Sequence, residues 1–294
     1  MTQVLITGGS GLLGTKLTDV LLKKGYSVAH LSTNKNYSKE NVACYYWNIN
    51  EKYIDEKAIL NADVIIHLAG ASIAGKKWTT KRKQEIIDSR VISSQLLINT
   101  LKNTKHNVKQ FIGASAIGFY GDRGNELLEE GTEPGTDFLA KVCEQWEESY
   151  QLTDEIKKAV VRIGVVLSKD GGALPEMLKT LPFFVGILGN GKQFSSWIHI
   201  DDLAKLFVFI IENNLEGTYN AVAPNPLPQK DLAKIIAKQK NTIAIPTPKF
   251  ALNLVLGEMK SLVLSSQKCS ANKILSKGFQ FEFDKIDKAL GNLL

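Results

Sequence analysis

The stretch "VLITGGSGLLGTKL", residues 4–17, constrains the fold of this chain more than any other. Gly9, Gly11 and Gly14 fit G-x-G-x-x-G, while Gly8, Gly11 and Gly14 fit G-x-x-G-x-x-G. Residues 3–7 read as an apolar strand and residues 11–24 as a helix, so the glycines fall on the turn between them. A turn of this kind suits an anion. Missing side chains let backbone N–H groups approach a pyrophosphate, and the helix N-terminus favours its charge. The bland alternative is a tight turn with nothing bound; the flanking strand and helix favour a dinucleotide.

The rhythm of the following residues agrees. "YSVAHLS", "DVIIHLA", "QFIGAS" and "AVVRIGVVL" read as further strands, separated by the helical stretches "TTKRKQEIIDSRVISSQLLINTLK" and "DFLAKVCEQWEESYQ". Continuous apolar strands alternating with long helices imply an α/β fold, a Rossmann-type doubly wound parallel sheet covered on both faces. After about residue 168 the pattern becomes loop-rich and then mostly helical. Residues 1–168 are therefore expected to form the nucleotide-binding domain, completed by 195–223. Residues 169–294 are expected to form a smaller, partly interleaved, mostly helical substrate-side lobe. Within it "IHIDDLAKLFVFIIEN" reads as a helix with Asp201 as its N-cap.

Composition narrows the partners. The net charge of +6 is spread over separate lysines without a nucleic-acid-binding signature, so no nucleic acid is expected. The opening "MTQVLITGGSG" has no basic-then-apolar leader, and no apolar run reaches the roughly 18 residues of a membrane span. The three cysteines, Cys44, Cys143 and Cys269, are odd in number and far apart, which suits reduced core thiols in a cytoplasmic protein.

The end of the second strand bears on which dinucleotide is bound. An NAD site usually has an acid there for the ribose 2′-hydroxyl. This chain has Ser32, Thr33, Asn34 and Lys35 instead, groups that accept a 2′-phosphate where a carboxylate repels it. NADP(H) is expected in preference to NAD(H). A basic cluster, "GKKWTTKRK", follows the fourth strand at the carboxyl edge of the sheet, where ligands bind in open α/β folds. Lys77, Arg82 and Arg90 are thus candidates to bind an anionic cofactor or substrate; the plain alternative is a solvated surface.

"HLAGASIAGKKWTTKRKQEIIDSRV", "SSWIHIDDLAKLF", "SAIGFYG", "DFLAKVCEQWE", "GGALPEML", "YNAVAPNP" and "LGEMKSLVLSSQK" together resemble one family over nearly the whole chain. These are the atypical short-chain dehydrogenase/reductases of the NAD-dependent epimerase/dehydratase family, in the SDR39U1-like (YfcH-like) epimerase subgroup. The resemblance implies a Rossmann fold, a small C-terminal substrate lobe and an NADP-type cofactor, but names no substrate. It implies that Gly8, Gly11, Leu12, Leu13 and Gly14 cradle the pyrophosphate and that Ala69 and Gly70 pass under the adenine ribose. Thr33 stands where relatives often carry an arginine, with Lys35 nearby as a compensating cation. Superfamily relatives often dimerise through a four-helix arrangement, so a homodimer is implied as well, although no matching apolar stripe is visible.

In active members of the superfamily a serine or threonine follows the fifth strand, and a Tyr-x-x-x-Lys pair follows on a helix. Here Ala116 occupies the serine position with Ser115 one residue earlier, and the helix reads Asp137-Phe-Leu-Ala-Lys141. Only the lysine is retained; Ser115 and Lys141 join the cofactor-binding candidates. Asp137 and Lys141 are either an i,i+4 ion pair with Asp137 near the helix cap, or a base with a ribose ligand. A carboxylate needs strong desolvation to act near neutrality, and an adjacent ammonium works against it. Tyr120, just past the fifth strand, and His199 are the other candidate acid/base groups. Their plain alternatives are a packing phenol and a structural imidazole. His199 with Asp201 and Asp202 is better explained by a helix start than by a metal. The chain is thus expected to be an oxidoreductase or epimerase-like enzyme on a small polar or sugar-derived substrate, or a sensor that has lost its catalytic groups.

Overall fold

Residues 1–180 and 183–294 are described by the structure, a computed structural model. Eight strands build the main sheet: β1 (Gln3–Thr7), β2 (Ser27–Ser32), β3 (Val42–Asn48), β4 (Tyr53–Ile54), β5 (Val64–His67), β6 (Gln110–Ala116), β7 (Lys157–Ile163) and β8 (Gly217–Ala221). Their order is β8-β7-β6-β5-β1-β2-β3-β4. All neighbours are parallel except β3 and β4. From β1 the chain builds outward through β2 and β3, then returns to the other side of β1 for β5. That reversal opens a crevice between the carboxyl ends of β1 and β5.

Alternation along the strands feeds two cores. Val4, Ile6, Val28 and Ile66 face helix α1 (Leu12–Lys23), whose Leu17 and Leu21 meet them. Leu5, Ala29, Leu31 and Ile65 face the opposite way, onto Leu97, Ile98 and Leu101 of α2 (Thr80–Asn103). Helix α3 (Phe138–Glu148) adds Trp146 to this second core, and α4 (Ile200–Glu212) adds Leu203 and Phe207 to the first.

The structure amends the sequence expectations in four places. The stretch "AVVRIGVVL" is not one strand. It breaks at Gly164, where a Cβ would stand 2.6 Å from the Ser196 carbonyl oxygen, and Val165–Ser168 joins a separate small sheet with Trp197–His199 and Gly171–Gly172. The half-buried β3 was not read at all, because its alternation is masked by tyrosines at intermediate exposure. The C-terminal lobe carries short strand pairs as well as helices, among them Phe184–Leu188 with Ile243–Thr247, too short for periodicity to reveal.

The fourth amendment concerns α4. Its cap is His199 and not Asp201: the imidazole Nδ1 accepts the Asp201 N–H at 3.1 Å. Asp201 is then free to pair with Lys16 at 2.5 Å. Asp202 turns inward and accepts the N–H groups of Glu282 and Phe283, at 2.9 and 2.8 Å. Near the chain's end, Met259 packs beside Trp78 and Phe138, and Glu258 pairs with Lys83.

Ile66 is fully buried on the central strand β5. Ile66→Ala is expected to cost about 2–5 kcal/mol of unfolding free energy by deleting packed volume. Urea denaturation read by circular dichroism checks this; an unchanged midpoint contradicts it.

Candidate nucleotide-binding and reaction site

The glycine turn is shaped by close approach. Gly8 has φ 71°, and a Cβ there would lie 3.1 Å from the Ala69 nitrogen. At Gly14 a Cβ would lie 2.3 Å from the Gly8 carbonyl oxygen, so α1 can start only this close to the turn with glycine. Gly11 caps α1 without a side chain, which leaves the first helical N–H groups facing outward. Leu13 packs against the core beneath, and Leu12 lies against Gly171 and Gly172.

Two buried histidines brace the crevice. Thr7 Oγ1 accepts the N–H groups of Leu68 and Ala69, both at 3.1 Å, so its own proton goes to His67 Nδ1 at 2.7 Å. His67 Nε2–H is then left to donate to Ser94 Oγ at 3.0 Å, whose own proton goes to the Arg90 carbonyl. The ring is a neutral imidazole, and burial lowers its pKa to about 3, with Arg90 adding repulsion. His30 is held the same way. Thr18 Oγ1 donates to the Gly14 carbonyl at 2.7 Å and so accepts from His30 Nε2 at 2.8 Å. Tyr37 then donates to His30 Nδ1 at 3.0 Å. Burial, with Lys39 second, lowers this imidazole to about 4.

Beneath the loop after β5 lie the two arginines of the basic cluster. Arg90 donates to the Ala71 carbonyl at 3.1 Å, its guanidinium 4.9 Å from the Trp146 ring centroid, and a Cβ on Gly70 would meet it at 3.1 Å. Arg82 donates to the Ser72 carbonyl and pairs with Glu85 at 2.7 Å. Both are buried and shape the loop from below, so the solvated surface weighed as the plain alternative does not describe them. Lys77 is exposed.

Above these supports is a cleft of about 280 Å³. Its walls combine the turn (Gly8, Gly9, Ser10), the end of β2 (Ser32, Thr33) and the loop after β5 (Ala69, Gly70, Ala71). No Asp or Glu lines it among the described residues. Lys35 is not in the lining; its ammonium sits 4.8 Å from the Tyr46 ring centroid. Tyr37, Trp47 and Ser89 also line the cleft. Sequence reasoning did not single them out: Trp47, an aromatic on a strand, reads as core, and the loop residue Tyr37 and the helical Ser89 carry no local signal.

The groups expected to move a proton are placed very differently. Tyr120 is fully buried, donates to Asn220 Oδ1 at 2.7 Å and accepts from Arg162 Nη1 at 3.0 Å. Burial pushes the phenol up to about 12 despite Arg162. Arg162 grips Glu147 through Nε and Nη2, both at 2.8 Å, and Glu147 accepts from Ser115 Oγ at 2.6 Å. Ser115 is therefore turned into this network. His199 is 1% exposed, stacked 3.8 Å from Phe283, with Nε2 donating to Asn292 Oδ1 at 3.2 Å. Desolvation lowers its pKa. Asp137 caps α3, accepting the Ala140 N–H at 2.9 Å. Lys141 is exposed and forms no ion pair among the described residues, so the i,i+4 pair weighed from the sequence is not formed.

A glycine turn at the switch point of a parallel sheet, with an acid-free cleft beside it, defines a nicotinamide-dinucleotide-binding protein of the Rossmann class. The chain belongs to the NAD dependent epimerase/dehydratase family, whose model matches residues 4–222; a second model, a domain of unknown function (DUF1731), matches residues 247–293. It is 34% identical to the epimerase family protein YfhF of Bacillus subtilis (strain 168), across 99% of this chain and 98% of that one. An epimerase family protein of Staphylococcus aureus (strain NCTC 8325 / PS 47) is 35% identical across 100% of this chain and 99% of that one. Among solved structures, human epimerase family protein SDR39U1 (isoform 2) with NADPH superposes with a TM-score of 0.89 at 28% identity, covering 99% of each chain. The nucleoside-diphosphate sugar epimerase of Corynebacterium glutamicum gives 0.77 at 32% identity, covering 99% of this chain and 57% of that one. Among the described residues, no helix is long and apolar enough to cross a membrane.

The neutral histidines set an acid limit. Their folded pKa values lie below the unfolded value of about 6.5, so the unfolded chain binds more protons below that pH. Stability is expected to be level above pH 6.5 and to fall between pH 6.5 and 4, by up to about 1.4 kcal/mol per pH unit for each histidine. Urea unfolding across this range should give a shallower slope for His67→Asn than for the parent. Equal slopes would contradict the assignment.

Proposed function

We propose that this protein is an NADP(H)-binding oxidoreductase or epimerase-like enzyme of the extended short-chain type, acting on a small polar or sugar-derived substrate. The observation that carries the reading is the acid-free cleft beside the glycine turn. Its fit to a dinucleotide rests on a tight turn that only glycine permits at Gly8, Gly9 and Gly14, where a Cβ would meet the Ala69 nitrogen, the His30 ring and the Gly8 carbonyl. Gly8, Gly11, Leu12, Leu13 and Gly14 would cradle the pyrophosphate, with the N–H groups of Leu12, Leu13 and Gly14 in the first helical turn turned toward it, while the Gly11 N–H closes the turn onto the Gly8 carbonyl at 3.0 Å. Ser32 and Thr33 offer hydroxyls to a 2′-phosphate without a carboxylate to repel it, which supports NADP(H) over NAD(H). The NADPH carried by the human relative supports the same preference.

When bound, the cofactor supplies hydride transfer; the chain's residues orient it and handle protons. Lys141, exposed and without an ion pair among the described residues, is the residue for the nicotinamide ribose. Of the three candidate acid/base groups Asp137 is the one left accessible to a substrate proton, because it is only half-buried whereas Tyr120 and His199 are buried and fully hydrogen-bonded. The name of the C. glutamicum relative supports a sugar-derived substrate. A second reading, a non-catalytic NADP(H) sensor, is favoured by Ala116 in the serine position and by the committed bonds of Ser115, Tyr120 and His199.

Titration with NADPH and NADH, read by nicotinamide fluorescence, tests the shared premise; NADPH is expected to bind more tightly. Equal or stronger NADH binding overturns the preference. Asp137→Asn keeps a capping side chain and removes the base. With a nucleotide-sugar or sugar substrate that turns over, it is expected to lower kcat by about 10²–10⁴ while NADPH affinity is unchanged. Turnover that survives the change removes Asp137 from the mechanism. Absence of turnover across a broad carbohydrate panel, with tight NADPH binding, favours the sensor.

A further inference from the structure

The chain has four arginines, and three of them face a carboxylate. Arg82 pairs with Glu85 at 2.7 Å, Arg123 with Glu126 at 3.8 Å and Arg162 with Glu147 at 2.8 Å. Arg90 is the exception. It is 6% exposed, and although every Asp and Glu of the chain is among the described residues, none forms an ion pair with it. The groups it does meet are neutral. Its Nη1 donates to the carbonyls of Ala71 and Ile86, at 3.1 and 3.0 Å, and its Cζ stands 4.9 Å from the Trp146 ring centroid. Burial lowers its pKa, as expected of a cation left without a counter-ion. A carbonyl or a water satisfies an N–H, but neither cancels a charge. Burying an unpaired cation costs stability that a well-packed apolar side chain does not. Such a residue points to an anion that the fold itself does not supply.

The place of the guanidinium says where that anion sits. Gly70 and Ala71 line the cleft, and both lie directly over Arg90. A Cβ on Gly70 would stand 3.1 Å from Cζ, so the missing side chain lets the cation rise to the underside of the loop. One layer of backbone then separates the charge from the cleft. Across so short a distance, with no water between, a field is little screened. The same loop abuts the glycine turn, since a Cβ on Gly8 would lie 3.1 Å from the Ala69 nitrogen. Ser32 and Thr33, the hydroxyls offered to a 2′-phosphate, lie on the other side, because β2 and β5 flank β1 on opposite edges. The anionic group nearest the cation is therefore the one held by the turn.

We propose that Arg90 is the counter-charge for a pyrophosphate seated on the glycine turn, acting through the bare backbone of Gly70 without touching the ligand. The inference rests on the dinucleotide reading above and adds to it a buried residue that responds to ligand charge alone. Two substitutions remove the charge in different ways. Arg90→Gln keeps an N–H donor for the Ala71 carbonyl, whereas Arg90→Met keeps packed volume against Trp146. Both are expected to raise the Kd of NADPH, NADH and ADP-ribose by a common factor, about 5- to 20-fold, and to leave the Kd of adenosine, which has no phosphate, unchanged. In the unaltered protein, the Arg90 Nε ¹⁵N–¹H signal, identified by its loss in the variants, should move when ADP-ribose is added and stay in place with adenosine.

A loss in one variant alone would overturn the proposal: sparing of Gln makes the loop hydrogen bond the role of Arg90, and sparing of Met makes it packing. An equal loss for adenosine, which marks a general loosening of the loop, overturns it too. So does a loss confined to NADPH, which puts the charge on the 2′-phosphate, or a signal that ADP-ribose does not move. Each variant is read against the ligand panel on its own, so one that fails to fold leaves the other decisive. Unaltered protein that binds none of the three nucleotides would sink the cofactor reading and this proposal with it. Variants that bind as tightly as the parent would sink only the role of Arg90.

Discussion

The hydroxyl of Thr7 is the pivot on which the crevice turns. It ends the first strand, takes two N–H groups from the loop after β5, and passes its own proton to His67. The two strands that flank the switch point are thereby tied at their carboxyl ends by something firmer than the ladder alone. Everything that lines the crevice on the β5 side, from Ala69 to Ala71, inherits its course from that bond and from the Arg90 guanidinium below. Because each atom in the Thr7–His67–Ser94 chain has its donor and acceptor roles fixed by the next, replacing one member reverses or breaks the others.

A second buried chain, Ser115–Glu147–Arg162–Tyr120–Asn220, crosses the other half of the sheet. It joins β6, α3, β7 and β8, the elements from which a dehydrogenase of this kind would draw its serine and tyrosine. Here those hydroxyls are used to satisfy a buried ion pair. Removing one partner of such a pair would strand the other charge at a cost of several kcal/mol, whereas the intact pair adds little net stability. The network holds the sheet's register and pins the last turn of α3 through Glu147, the helix that carries Lys141 and is capped by Asp137.

Much of the fold was legible in the chain. Gly8, Gly11 and Gly14 announced the turn, because only glycine tolerates the contacts now visible with Ala69 and with the Gly8 carbonyl. The apolar runs announced β1, β2, β5 and β6. Gly164 was missed as a break because a glycine flanked by valines and isoleucines reads as part of one strand. His199 and Asp201 exchanged roles because imidazole and carboxylate both cap helices, and tertiary partners decided between them: Lys16 for the acid, Asn292 and Phe283 for the ring. Tyr120 and Ser115 carried the right chemistry at nearly the right positions. Their orientations depend on Arg162 and Glu147, distant in sequence and silent in any local pattern. Trp47 was unreadable for a similar reason: an aromatic on a strand reads as core until the fold brings it to the wall of the cleft.

The intimacy between α4 and the end of the chain has a consequence for the order of events during synthesis. The last strand of the main sheet is complete at Ala221, yet the sheet face under α4 also buries Cys269, Ala271, Ile274 and Phe279. The imidazole that starts α4 waits for Asn292, and Asp202 in its first turn waits for Glu282 and Phe283. A nascent chain therefore has the strands of its main sheet in hand while one apolar flank stays uncovered until residues 269–292 have been made. The stretch matched as a separate domain of unknown function is better regarded as the closing seam of the sheet's own core than as an appendage to it.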